Sequence, residues 1–240
     1  MSDDTTIDYY ELLQVNQSAD LETVHRVYRF LAQRFHPDKR NGYFESRFPV
    51  RAGLKLLYVG RVSKEKNLRV LGQAYRQLWK RRKDLQLIIL GDGPYLKEFQ
   101  EWMADTPCLF TGYLEGEDLA AAYASADLFV FPSITDTFGN VILEAQASGL
   151  PVIVTDEGGP QENMLPGITG VVVKADDPRA LREAVENLGA DPSRLREMGF
   201  AARRFLENRS FEKAFQETWE TYRHPLTPRR GCDGQCGVIP

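Results

Sequence analysis

Several classes of protein are excluded by what this chain has little of. Only three cysteines occur in 240 residues, Cys108, Cys232 and Cys236, too few to staple a disulfide scaffold. Cys232 and Cys236 stand four apart in a glycine-bearing tail, and no second pair completes a four-coordinate zinc site. No basic stripe stands out against a net charge of -4, which argues against a nucleic-acid footprint. No apolar run reaches the length of a membrane span, and the acidic opening Met1-Ser2-Asp3-Asp4 is the reverse of a signal peptide. Internal repeats and low-complexity tracts are missing too. The remaining composition, 42% hydrophobic and 27% charged, is that of a globular protein. A soluble chain with a cytoplasmic location is expected, with peripheral membrane contact left open.

From Leu54 onward the pattern is regular. Short, almost wholly apolar runs at Leu54–Gly60, Leu85–Leu90, Cys108–Gly112, Asp127–Phe131, Pro151–Thr155 and Gly170–Lys174 read as strands. Helical patterns lie between and after them at 68–82, 95–104, 117–124, 178–188 and 192–207. Such alternation predicts an α/β fold with a doubly wound parallel sheet covered on both faces, the Rossmann-like arrangement. Ligands of such sheets lie beyond the carboxyl ends of the strands, so a site is expected in the loops there.

The loop after the fourth strand begins the most informative stretch, Ser133 to Gly149, SITDTFGNVILEAQASG. Strand, polar loop and apolar-faced helix in that order make an anion site at the helix start, where Phe138, Gly139 and Asn140 present amides. Asp136 precedes the helix and Glu144 lies inside it, with seven residues between them. Arg61 and Lys66 share the loop after the first strand, beyond Gly60, where two cations can neutralise a diphosphate. Gly91 and Gly93 of the GDGP turn let backbone approach a ligand without an intervening side chain. Tyr113 and Leu114 follow the third strand, where an aromatic and backbone groups can hold a base. Asp156 to Gly159 end the fifth strand close by. Taken singly, each has a plain alternative as a turn, a cap or a solvated loop; their joint placement on one sheet edge favours a site for a nucleotide diphospho-sugar.

Residues 54–223 resemble the C-terminal, donor-binding domain of a family 4 glycosyltransferase of the GT-B fold. The motifs that carry this are YVGRVSKEKN, LGDGP, FTGYL, ADLFVFPS, TDTFGNVILEAQASGLPVI and GGPQE. The resemblance implies retaining sugar transfer, with Arg61 and Lys66 gripping the diphosphate of a UDP- or GDP-sugar. The family's paired acids fall on Asp136, which faces the sugar, and Glu144, which binds the ribose hydroxyls. Aspartate at the first position is one methylene short of the family's glutamate. No D-x-D triplet occurs, consistent with transfer that needs no metal or other cofactor. Such enzymes carry an acceptor-binding N-terminal domain of similar size, whereas about fifty residues precede the first strand here, so turnover by this chain alone is not expected. The reading is of a glycosyltransferase half, with an inactive nucleotide-sugar-binding remnant as an alternative.

Residues 1–40 read differently. Asp8–Val15, DYYELLQV, is a helix candidate. From Leu21 to Phe35 the apolar positions Val24, Val27, Tyr28, Leu31 and Phe35 recur at helical spacing opposite a basic face, ending at His36-Pro37-Asp38. This segment resembles the J-domain of Hsp70 co-chaperones, truncated before its third helix, and the resemblance implies an Hsp70 contact through His36, Pro37 and Asp38. The same residues, Phe35 to Asn41, also resemble the connector that precedes the donor-binding half of many glycosyltransferases. Residues 41–53 read as a linker. Phe211, Phe215, Trp219 and Tyr222 recur at helical spacing and are expected to pack on the J-like helices or stay partly exposed, and 224–240 read as a disordered tail.

Overall fold

The computed structural model describes Leu31, residues 33–50 and residues 53–208. The expectations for residues 1–30, the aromatic stripe at 211–222 and the tail lie outside that range.

Six parallel strands form one sheet: β1 (Leu54–Val59), β2 (Leu85–Leu90), β3 (Cys108–Gly112), β4 (Leu128–Phe131), β5 (Val152–Thr155) and β6 (Gly170–Val173). Their order is β3-β2-β1-β4-β5-β6. The central strands are buried almost throughout, which is why their sequences run apolar instead of alternating. β1 and β2 pair over their full length, from Leu54 opposite Leu85 to Val59 opposite Leu90. Between β1 and β4 only Leu56–Leu128 and Leu57–Phe129 pair. There the winding reverses direction, and the carboxyl ends of those two strands part to leave a crevice.

The covering helices are α1 (Tyr43–Arg47), α2 (Leu68–Arg81), α3 (Leu96–Met103), α4 (Gly116–Ser125), α5 (Asn140–Ala147), α6 (Pro178–Gly189) and α7 (Pro192–Asn208). α2 buries Leu68, Leu71, Ala74, Tyr75 and Leu78, one face at three- and four-residue steps. α6 starts where its sequence says it should. Asp177 accepts from the amides of Arg179 (2.9 Å) and Ala180 (3.0 Å), and Pro178 takes the first helical position. Gly149, at φ 74°, takes the left-handed turn just past α5.

The segment before β1 is bound to the body of the fold. Phe35 is 1% exposed, and its carbonyl accepts from Arg203 Nη1 of α7 at 2.8 Å. His36 caps the 3-10 turn Pro37–Lys39 through a hydrogen bond from the Asp38 amide to Nδ1, 3.2 Å. Lys39 pairs with Glu117 and Arg40 with Asp127. The stretch 41–53, read from the sequence as a linker, carries α1, whose Tyr43 and Phe44 join the core. Two adjacent aromatics bury themselves against α4, with the Tyr43 amide on Ser125 Oγ at 3.3 Å. A single five-residue turn is too short to reveal itself by periodicity.

Candidate functional site: a cleft at the sheet's switch point

The loops that leave β1, β2 and β4 close around a cleft with two lobes. One, of about 510 Å³, is lined by Val59, Gly60, Arg61, Leu90, Gly91, Asp92, Tyr113, Leu114, Leu119, Val141 and Glu144. The other, of about 470 Å³, is lined by Glu65, Lys66, Phe131, Asp136, Thr137, Phe138, Gly139 and Asn140. Val59, Gly60, Arg61 and Val141 belong to both. Each lobe has the size of an ordinary small-molecule site.

Packing beneath the loops explains their shape. Tyr58, fully buried in β1 and stacked on Phe131 of β4 at 5.9 Å, donates from its hydroxyl to the Arg61 carbonyl at 3.0 Å. That bond pins the β1 loop across the crevice and sets Arg61 between the lobes. Gly91 adopts φ 139°, and a Cβ there would stand 2.0 Å from the Gly60 carbonyl oxygen. Only a glycine lets the β2 loop lie against the β1 loop this closely.

In the polar lobe, Lys66 Nζ lies 2.8 Å from each carboxylate oxygen of Asp136. The pair joins the β1 loop to the β4 loop, and both side chains are about one fifth exposed. α5 opens the same lobe: Gly139 stands at its start with φ 77°, and the positive end of a helix favours an anion. In the apolar lobe, Glu144 accepts a hydrogen bond from the Tyr123 hydroxyl at 2.8 Å. Burial pushes the Glu144 carboxyl above its ordinary value, opposed by the Tyr123 hydrogen bond and the Arg34 charge. Tyr113 forms an exposed lip, 72% accessible.

The structure thus brings together Gly60, Arg61, Lys66, Gly91, Tyr113, Leu114, Asp136, Phe138, Gly139, Asn140 and Glu144. Gly93 lines neither lobe; it lies where a Cβ would meet the Val62 carbonyl at 2.3 Å, and so holds the turn against the β1 loop. Asp156 to Gly159 also support from behind. Asp156 Oδ1 accepts from the Ala175 amide at 2.7 Å, and the Gly159 amide donates to the Asp136 carbonyl at 2.9 Å. Sequence reasoning missed Tyr123, Val141 and Glu65. Tyr123 stands alone among alanines in α4, a faint signal without knowledge of how α4 packs on α5.

A doubly wound parallel sheet with cations, helix amides and two acids around its switch-point cleft defines a Rossmann-like half-fold with a candidate ligand site at its carboxyl edge. The chain belongs to the family described as "Glycosyl transferases group 1", whose model matches residues 53–191. A DnaJ domain model matches residues 8–48. A GDP-mannose-dependent alpha-mannosyltransferase of Corynebacterium glutamicum is 36% identical over 192 residues, covering 80% of this chain and 45% of the relative. The chain therefore spans about half the length of the curated relatives it matches. Among solved structures, the C-terminal domain of a group 1 glycosyl transferase, LpcC of Francisella tularensis, superposes with a TM-score of 0.67 at 19% identity, covering 74% of this chain and 96% of that domain. HepE of Anabaena in complex with UDP-glucose gives 0.67 at 20% identity, covering 80% and 55%. At such identities the two structures speak for the fold alone.

Proposed function

We propose that this chain is the donor-binding half of a retaining glycosyltransferase, taking a GDP- or UDP-hexose in the switch-point cleft. The observation that carries the reading is the convergence of Arg61 and Lys66, from the β1 loop, with Asp136 and Glu144, from the β4 loop and α5, on one two-lobed cleft. Arg61, Lys66 and the first amides of α5 hold the diphosphate. Glu144 accepts from the ribose hydroxyls, Asp136 faces the hexose, and Tyr113 and Leu114 border the base.

The chemistry asked of such a site is departure of a nucleoside diphosphate while positive charge builds on the sugar. Fixed cations and helix amides aimed at the leaving group lower that barrier without reorganising. No metal or other cofactor is needed in this reading. The incoming hydroxyl has to be presented from across the cleft, so donor binding is the property to test on the residues described. The GDP-mannose named for the Corynebacterium relative and the UDP-glucose named for HepE are the donors to try first.

Calorimetry with GDP, UDP, GDP-mannose and UDP-glucose tests the reading. Binding of at least one, weakened tenfold or more by Lys66→Ala, is expected; no binding, or binding indifferent to Lys66→Ala, overturns it.

A second reading, an Hsp70 contact, is supported by the DnaJ match over residues 8–48 and by the 90% exposure of the Asp38 side chain. Against it, Pro37 lies on Gly149, where a Cβ would come within 3.0 Å of the proline ring. A cytoplasmic location accords with both readings; among the described residues no helix is long and apolar enough to cross a membrane. Stimulation of an Hsp70 ATPase that His36→Gln abolishes would carry this reading, and its absence would end it.

A further inference from the structure

Tyr123 sits near the end of α4, in an alanine-rich turn, and lines neither lobe of the cleft. Its ring is fully buried. Phe129 of β4 lies on one side at 5.7 Å between centroids, and Phe35, from the segment before β1, meets it edge-on at 5.4 Å. The two aromatic neighbours flank the ring, whose hydroxyl lies 2.8 Å from Glu144 Oε2. Burial and the adjacent carboxylate hold the phenol protonated far above neutrality, so its hydroxyl is a permanent donor to Glu144.

A carboxylate at the end of a flexible side chain recognises a vicinal diol only if its plane is fixed. A half-buried one also tends to take up a proton, which turns one acceptor into a donor. The Tyr123 hydroxyl counters both tendencies: it occupies Oε2, sets the plane of the carboxylate and favours its ionised form. Glu144 itself lines the apolar lobe.

We infer that Tyr123 is a positioning residue for nucleotide recognition, holding Glu144 so that it accepts hydrogen bonds from the ribose diol. The inference rests on the donor-site reading above. It also gives the segment before β1 a part in that site, since Phe35 braces the ring that braces the carboxylate.

The test is calorimetry on the full chain with three probes: the ribonucleoside diphosphate, GDP or UDP, that binds the wild type more tightly, its 2′-deoxy counterpart, and inorganic pyrophosphate. Wild type is expected to prefer the ribonucleotide by about tenfold, the scale of a hydrogen bond to a charged group. Tyr123→Phe keeps the ring and should lose most of that preference, with pyrophosphate affinity within about twofold of wild type. Glu144→Gln should lose the same preference, and the double variant should lose little more, because the two residues act as one unit. Phe35→Leu, which loosens the ring but spares the hydroxyl, should show a partial loss.

An undiminished ribose preference in Tyr123→Phe and Phe35→Leu overturns the inference and leaves the donor-site reading standing. Equal weakening of all three probes also overturns it, since that marks a packing role alone. Absence of any nucleotide binding by wild type overturns both.

Discussion

Lys66 and Asp136 are bound to each other, Nζ 2.8 Å from both carboxylate oxygens, across seventy residues of sequence. The cation assigned to the leaving diphosphate and the acid assigned to the hexose therefore neutralise one another in the resting cleft. A diphosphate has to draw Lys66 away from Asp136, and that exchange frees the carboxylate for the sugar. Asp136→Asn should tighten binding of GDP or UDP about threefold to tenfold, the scale of a partly exposed ion pair. Titration calorimetry at low and moderate salt checks this, and equal or weaker binding by the variant would show that Lys66 is not competed for.

The raised pKa of Glu144 makes a statement about stability. Its cause is burial, opposed by the Tyr123 hydroxyl and Arg34. The folded chain holds the Glu144 proton at pH values where the unfolded chain has released it, so this residue's contribution falls as pH rises from the ordinary glutamate range through the raised value. Above that window an ionised carboxylate sits in a site that resists it. Glu144→Gln, which keeps an acceptor for Tyr123, should raise the unfolding temperature by a few degrees near pH 8. The advantage should vanish near pH 4. Thermal unfolding of both proteins across that range decides; an advantage that grows toward acid pH contradicts the assignment.

Gly91→Ala should be severe. The added methyl group would meet the Gly60 carbonyl at 2.0 Å with φ at 139°, so two loops must part to admit it. A cost of about 2–4 kcal/mol is expected from strain and lost packing together, together with loss of nucleotide binding. Urea denaturation reads the first and calorimetry the second. A fully stable Gly91→Ala protein would mean that the β1 and β2 loops are not held together as described.

Phe35→Ala separates two views of the segment before β1. Removing a ring that is 1% exposed and packed on Tyr123 should cost about 3–5 kcal/mol in the unfolding of the sheet domain itself. Were residues 35–48 an independent appendage, the main transition would not move. Chemical denaturation followed by tryptophan fluorescence distinguishes the outcomes.

Much of the sheet was legible because buried parallel strands have to be apolar on both faces, as LKLLYV, LQLIIL and VIVT are. The helix starts at Pro178 and Pro192 were read from pattern, and the structure supplies their reason, Asp177 and Asp191 accepting from the first-turn amides. The loops of the cleft could be picked out because glycines and charges gather where strands end. Contacts between distant elements were not legible. Nothing local in KEKN or SITDTF says that Lys66 and Asp136 meet, and no period links Tyr123 to Glu144, because the packing of α4 on α5 decides it. α1 escaped for a different reason: five residues hold too few turns to show a stripe, and its aromatics make sense only once α4 is in place.

Arg203 of α7 donates to the carbonyls of Phe35 and Ala147 at once, and Tyr43, Phe44 and Lys55 with Glu45 carry the same attachment up to β1. Residues 35–48 thus read as the end of one domain family in sequence while they pack as part of another. From Phe35 onward the described residues wrap the sheet as one packed shell, so the change of family visible in the sequence falls inside a single body.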